Sequence, residues 1–370
     1  MAGLYLHFPF CRSRCIYCDF YSTTFGKEVM EAYARAMQRE LALRCTILKG
    51  TRVHTIYIGG GTPSLMPTQC LSSLFDTILR HYSICSDAEV TIEANPDDVT
   101  PEWLDCLTST PINRISMGAQ SFSDERLRFL RRRHDAKQIK HAVRLCKAAN
   151  FRNISIDLIY GLPGQSLGEW NEDVSQALSL GIQHLSAYAL SYEDGTALDR
   201  LLKKGVVTEA DEEMSRQMYQ HLLNETKQAG FVHYEISNFS LPGFHSRHNS
   251  SYWQGLPYLG IGAGAHSYDG HRERRANLPD LKTYLAATED VPHETETLSD
   301  DECYDEFVMT RLRTNTGIPL ELLSSDDRNY CLSMAEPHIQ RHLLICQRNH
   351  LRLTPEGIFT SNDIISDLMK

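Results

Sequence analysis

Six short apolar runs, each followed by a stretch with helical periodicity, constrain the first half of this chain more than any other feature. They occupy residues 4–8, 53–58, 89–93, 114–117, 154–159 and 184–190, a repeat of about 36 residues. Helical spacing is clearest over 28–48, 68–82, 136–149 and 167–180, and Thr100-Pro101-Glu102 supplies an N-cap with proline at the first helical position. Runs this apolar, separated by crossover-length helices, predict consecutive βα units and a parallel sheet, hence the α/β class. In such folds functional groups gather where strands end and loops begin.

Three thiols, Cys11, Cys15 and Cys18, follow the first run directly, between Pro9 and Gly26. A loop this short can aim three sulfurs at one centre, as soft-metal and iron–sulfur sites require. Structural zinc usually closes with four protein ligands, whereas a cubane held by three thiolates keeps one iron open. On residues alone, a zinc site completed by His7 and a set of reduced structural thiols remain alternatives.

The second run ends in Gly59-Gly60-Gly61-Thr62-Pro63, where bare amides can form an acceptor-binding nest. Glu93, Gln120 and Asp157 stand at or within otherwise apolar strands, and Arg132 belongs to an arginine run. A carboxylate within a parallel strand is expensive to bury without a partner. These residues therefore belong either to a satisfied polar network inside the barrel or to a ligand site, and Arg132 alone would read as a solvated helix face.

Composition narrows the setting. At 370 residues and 42% hydrophobic, the chain can bury one large α/β domain plus an appendage. A net charge of -10 argues against general affinity for nucleic acid or anionic membranes. No apolar run reaches spanning length, residues 1–3 lead directly into the first strand, and the remaining cysteines are scattered through helical stretches. The expectation is a soluble protein of a reducing cytoplasm.

Cys-x3-Cys-x2-Cys with Tyr17 before the last cysteine resembles the radical S-adenosylmethionine (SAM) superfamily. That resemblance implies a partial (β/α)6 barrel carrying a [4Fe-4S] cluster on Cys11, Cys15 and Cys18. In that superfamily the open iron chelates the amino and carboxylate groups of SAM, and an electron from the cluster cleaves the sulfonium to a 5′-deoxyadenosyl radical. The stretches 4–11, 59–64, 120–122 and 156–165 are similar to the oxygen-independent coproporphyrinogen III oxidase group over most of the first 270 residues. By that resemblance Tyr5, Gly60, Gly61, Thr62, Glu93, Gln120, Arg132 and Asp157 are the SAM-contacting positions.

Three features favour the heme-chaperone branch of that group. Asp19-Phe20 follows Cys18 where the oxidase carries a further cysteine, only ten residues precede Cys11, and residues 248–253 match the branch's His-Asn-x-x-Tyr-Trp motif. The resemblance implies heme bound near His248, Tyr252 and Trp253, and its transfer to a haemoprotein of the respiratory chain. A neutral imidazole is a good iron ligand, and the two aromatic rings offer flat apolar surface. On the residues alone, His248 and Trp253 could instead seal the barrel. Oxidative decarboxylation of coproporphyrinogen III in heme biosynthesis is the alternative function. A transient membrane-protein contact and a homo-oligomer stay open, and no nucleic-acid partner is expected. The organisation read from sequence is a radical SAM core over 1–240, a Gly/His/aromatic segment over 241–280, and a mostly helical C-terminal domain over 281–370.

Overall fold

In the computed structural model, which describes residues 1–370, all six apolar runs are strands: β1 (Ala2–Phe8), β2 (Val53–Gly60), β3 (Ile84–Ala94), β4 (Arg114–Gln120), β5 (Ile154–Tyr160) and β6 (His184–Ala189). They pair in parallel in chain order, with the intervening helices as crossovers. β1 and β6 do not pair with each other, so the barrel is open. Beyond β6 lie β7 (Val232–Glu235) and β8 (Asn238–Ser240), with β8 antiparallel to β6. Beyond β1 lies β9 (Tyr258–Ile261), parallel to it, then β10 (His266–Tyr268), β11 (Glu273–Asn277) and β12 (His293–Thr297) in antiparallel order. The result is one twelve-stranded sheet. No helix is long and apolar enough to cross a membrane.

Local chemistry fixes the helix starts. Thr100 accepts from the Trp103 amide ahead of helix Pro101–Thr108, while Asp135–Gln138 and Ser166–Glu169 form reciprocal capping boxes on helices Ala136–Ala148 and Leu167–Ser179. Along each parallel strand the residues alternate in character, as the two-residue period demands. Leu4, Leu6, Ile56, Ile58, Ile92, Ile115, Ile156 and Leu185 are buried in one core that continues as far as Val291. Each such burial contributes about 1.5–3 kcal/mol. The intervening positions include Tyr57, Glu93, Arg114, Asp157 and Ser186, which line a cavity inside the curl of the sheet.

A second hydrophobic cluster runs from Tyr304 to Leu368. It joins helices Asp300–Leu312, Ser325–Gln340 and Ser361–Leu368 to a small antiparallel sheet of β13 (Ile318–Pro319), β14 (Leu344–Gln347) and β15 (His350–Leu353). The core thus divides near residue 298, later than the boundary at 280 read from sequence. β12 still belongs to the large sheet, and residues 241–280 supply a short helix and three of its strands.

One buried carboxylate ties those late strands to the barrel. Glu40, on helix Lys27–Leu43 and 1% exposed, accepts from Arg44 (2.9 Å), Asn277 Nδ2 (2.7 Å), the Tyr284 hydroxyl (2.7 Å) and the Gly262 amide (2.8 Å). Replacing it by alanine leaves the 6%-exposed Arg44 without its counter-charge, strands the Gly262 amide and the Tyr284 hydroxyl, and leaves Asn277 Nδ2 only Gly262 O. Glu40→Ala is expected to lower unfolding stability by about 3–5 kcal/mol, read as a drop in the urea midpoint. A loss below 1 kcal/mol would show that the network contributes nothing net.

Candidate functional site

The cysteine loop is held in place by backbone. The Cys11 amide donates to Thr23 O (2.8 Å), Thr23 N to Pro9 O (2.6 Å), and Leu198 N to Ile16 O (2.8 Å). All three cysteines are free thiols lining the mouth of the cavity, whose volume is about 470 Å³. The Thr62 hydroxyl donates to Cys11 Sγ at 3.5 Å and Arg132 Nη1 to Cys15 Sγ at 3.3 Å. Burial pushes the Cys11 thiol up, against the Thr62 hydrogen bond, and pushes Cys18 up to about 11. A metal centre here would therefore displace protons on binding. Three converging thiols with donors aimed at sulfur suit an iron–sulfur cluster. His7 is not turned to the thiols as a fourth ligand, since its ring nitrogens bond the Tyr5 hydroxyl and Tyr21 O, both at 3.0 Å.

The glycine turn is a point of close backbone approach, and its Gly61 amide is taken within the chain, donating to Phe8 O at 2.8 Å. Gly60 has φ +112°, and a Cβ there would meet the His7 ring at 2.7 Å; one on Gly61 would meet Phe10 backbone at 2.8 Å. The Gly60 amide points to Glu93, donating to Oε2 at 3.1 Å. Glu93 also accepts from Tyr57 Oη at 2.8 Å. Burial raises its carboxyl to about 7, with the Tyr57 hydrogen bond opposing and Asp157 adding to the rise. Asp157 is likewise raised by burial, opposed by the neighbouring Ser186 hydroxyl, the Arg114 charge and the Ser116 hydroxyl.

Gln120 ends β4 in a left-handed conformation, φ +69°, which a non-glycine residue adopts only when its surroundings enforce it. Asp173, from helix Leu167–Ser179, holds the two residues that follow, accepting from Ser121 Oγ (2.8 Å) and the Phe122 amide (2.6 Å). Arg132 points inward, unlike a solvated arginine face. It donates to Cys15, to Asn95 Oδ1 (2.5 Å) and to Gly118 O (2.7 Å), while its Nε is buried without a partner.

The cavity wall thus unites Cys11, Cys15, Cys18, Gly60, Gly61, Thr62, Glu93, Gln120, Arg132 and Asp157. Tyr5 stands apart from that wall, its hydroxyl on His7 and its ring 6.2 Å from Tyr57. Sequence reasoning missed Tyr57, Asn95, Arg114 and Asn249, which also line the cavity. Arg114 is 1% exposed, and its Nε and Nη1 have no partner. The available signal was strand alternation, which puts Tyr57 and Arg114 on the same face as Glu93 and Asp157.

At the foot of the barrel lies helix Arg247–Trp253. Buried Glu89 caps it, accepting the amides of Arg247 and His248 at 3.0 Å each. His248 is 1% exposed, with Nδ1 on Thr55 Oγ1 and Nε2 on the Tyr252 hydroxyl, both at 2.8 Å. Its ring stacks on Tyr57 at 5.0 Å, and burial lowers its pKa to about 3, keeping the imidazole neutral. Tyr252 and Trp253 are half-buried, and the Trp253 indole N–H has no partner. The structure therefore puts this trio on one short helix at the end of the lumen opposite the cysteines.

Residues 5–177 match the Radical SAM superfamily and residues 298–360 the HemN C-terminal domain. Among characterised proteins, the chain is 35% identical to the heme chaperone HemW of Mycobacterium tuberculosis (strain CDC 1551 / Oshkosh), over 99% of this chain and 94% of that protein. It is 34% identical to the heme chaperone HemW of Lactococcus lactis subsp. lactis (strain IL1403), over 99% and 96%. Its fold superposes on coproporphyrinogen III oxidase (HemN) from Escherichia coli with a TM-score of 0.86 at 22% identity, covering 100% of this chain and 90% of the other.

The raised Glu93 carboxyl predicts a pH dependence. Its contribution to stability is present below the ordinary carboxylate range and is lost as pH rises through about 7. Glu93→Gln cannot ionise, so between pH 5 and pH 8 its unfolding stability should fall by about 2 kcal/mol less than that of the parent protein. Urea titrations at the two pH values check this, and equal falls would refute it.

Proposed function

The chain belongs to the HemW heme-chaperone family of the radical SAM superfamily, and from that premise we propose that it carries heme and delivers it to a respiratory haemoprotein. In this reading Cys11, Cys15 and Cys18 hold a [4Fe-4S] cluster, the cavity holds SAM, and heme docks at the helix bearing His248, Tyr252 and Trp253. When bound, the cluster supplies one-electron chemistry through its open iron.

The remaining work falls to the chain's own residues. Thr62 and Arg132 donate to Cys11 and Cys15 sulfur, stabilising thiolate charge. Glu93 and Asp157 suit the ammonium and ribose hydroxyls of SAM, because a cation in the cavity relieves their unfavourable burial. Arg132, on the cavity wall beside Cys15, is the guanidinium suited to the SAM carboxylate. Tyr5 acts from behind that layer, through His7.

At the foot, His248 is already neutral, so iron ligation needs no deprotonation. It needs the Tyr252 hydroxyl to release Nε2, which makes Tyr252 both the keeper of the ligand and a ring for the porphyrin to lie against. The observation that carries the reading is the presence in one barrel of a thiol loop at one end and the His-Asn-x-x-Tyr-Trp helix at the other.

Hemin titration of anaerobically reconstituted protein tests it. The parent protein is expected to bind hemin with a shifted Soret band, and His248→Ala to lose about tenfold or more in affinity. Unchanged spectrum and affinity in the variant would discard the ligand assignment. Decarboxylated product from coproporphyrinogen III, under reductant and SAM, would instead establish the oxidase activity.

A further inference from the structure

We propose that His54, Cys85 and Asp87 form a binding site for a divalent transition metal ion of the zinc type at the foot of the barrel. None of the three belongs to the cluster, SAM or heme readings above. His54 lies at the start of β2, and Cys85 and Asp87 lie near the start of β3, so the group stands at the strand ends opposite the cysteine loop. The β2–β3 register makes the grouping. Val53 pairs with Ile84 but Thr55 pairs with Glu89, and the extra residues on β3 bulge there, beside His54.

The donor atoms of all three residues lie within 4.8 Å of one another. Cys85 Sγ is 3.4 Å from His54 Nε2. Bond lengths of about 2.3 Å to sulfur and 2.0 Å to nitrogen, at a tetrahedral angle, place two zinc ligands about 3.5 Å apart. A thiol–imidazole hydrogen bond alone would give a similar pair distance but needs no carboxylate beside it. Cys85 is buried, His54 half-buried and the Asp87 side chain 74% exposed. The soft and borderline donors thus face the protein, and the carboxylate closes from the solvent side with a fourth position open.

Arg247 Nη1 bonds Asp87 O (2.5 Å) and approaches Asp87 Oδ2 at 3.5 Å. An ion on Asp87 would compete with that contact, and Arg247 is the first residue of the helix carrying His248.

The test uses the cluster-loaded protein, kept anaerobic and titrated with zinc against a chromophoric chelator. One equivalent should bind, with affinity at least about tenfold lower in both Cys85→Ser and His54→Gln while cluster absorbance is retained. Zinc-edge X-ray absorption of the Cys11→Ser/Cys15→Ser/Cys18→Ser protein should still show one sulfur at about 2.3 Å, and adding Cys85→Ser should remove it. Substoichiometric binding, unchanged affinity in the two single variants, or a zinc shell without sulfur would each overturn the site.

Discussion

A parallel barrel with polar residues on its inner face has to be sealed at the foot, and much of this molecule follows from how that is done. Helix Arg247–Trp253 is the seal, and a seal seven residues long cannot satisfy its own backbone. Glu89 supplies the missing acceptors from β3, and Thr55 on β2 takes the His248 ring. Glu40 then fixes the chain beyond the seal, binding groups from Gly262, Asn277 and Tyr284 to the first crossover helix. Two buried carboxylates, each in a strand or helix of the barrel proper, thus determine where residues 247–284 go. Both are fully used by donors, the condition under which buried charge is tolerated.

The cavity above the seal is electrostatically incomplete in a specific way. Glu93 and Asp157 are both raised by burial, while Arg132 and Arg114 keep nitrogens without partners. Carboxylates and guanidiniums on the wall of one cavity fit a zwitterionic ligand with separated charges better than an apolar one. SAM has an ammonium, a sulfonium and a carboxylate. The left-handed Gln120 and the close-approach glycines Gly60 and Gly61 add backbone fixed in advance around the same space.

Much of this was legible in the sequence, unevenly. The six strands and the cysteine loop announce themselves because apolar runs and short-range spacing are local signals. Cys11, Cys15, Cys18, Gly60, Glu93, Gln120 and Asp157 could be found because they interrupt those signals. Arg132 was ambiguous, since only the fold reveals that it turns inward to Cys15 and Asn95. The flanking strands β7 to β12 were missed because they are short, three to five residues each, and their pairing is decided by long-range partners. The same limit displaced the domain boundary, because β12 (His293–Thr297) has little apolar pattern of its own and belongs to the sheet only through β11. Tyr57 and Arg114 were hidden by reading their strands as continuously apolar when they alternate.

Tyr57 carries a consequence of its own. Its hydroxyl serves the chamber, bonding Glu93, while its ring serves the seal, stacking on His248. Both duties fall on one inflexible six-membered plane, so neither neighbour can shift far without being felt by the other. The hydrogen bond above and the stacking below thus share a single side chain, with His248 and Glu93 as its two neighbours. Like a lintel that carries a wall above and frames a doorway beneath, the residue makes the two ends of the lumen answerable to each other.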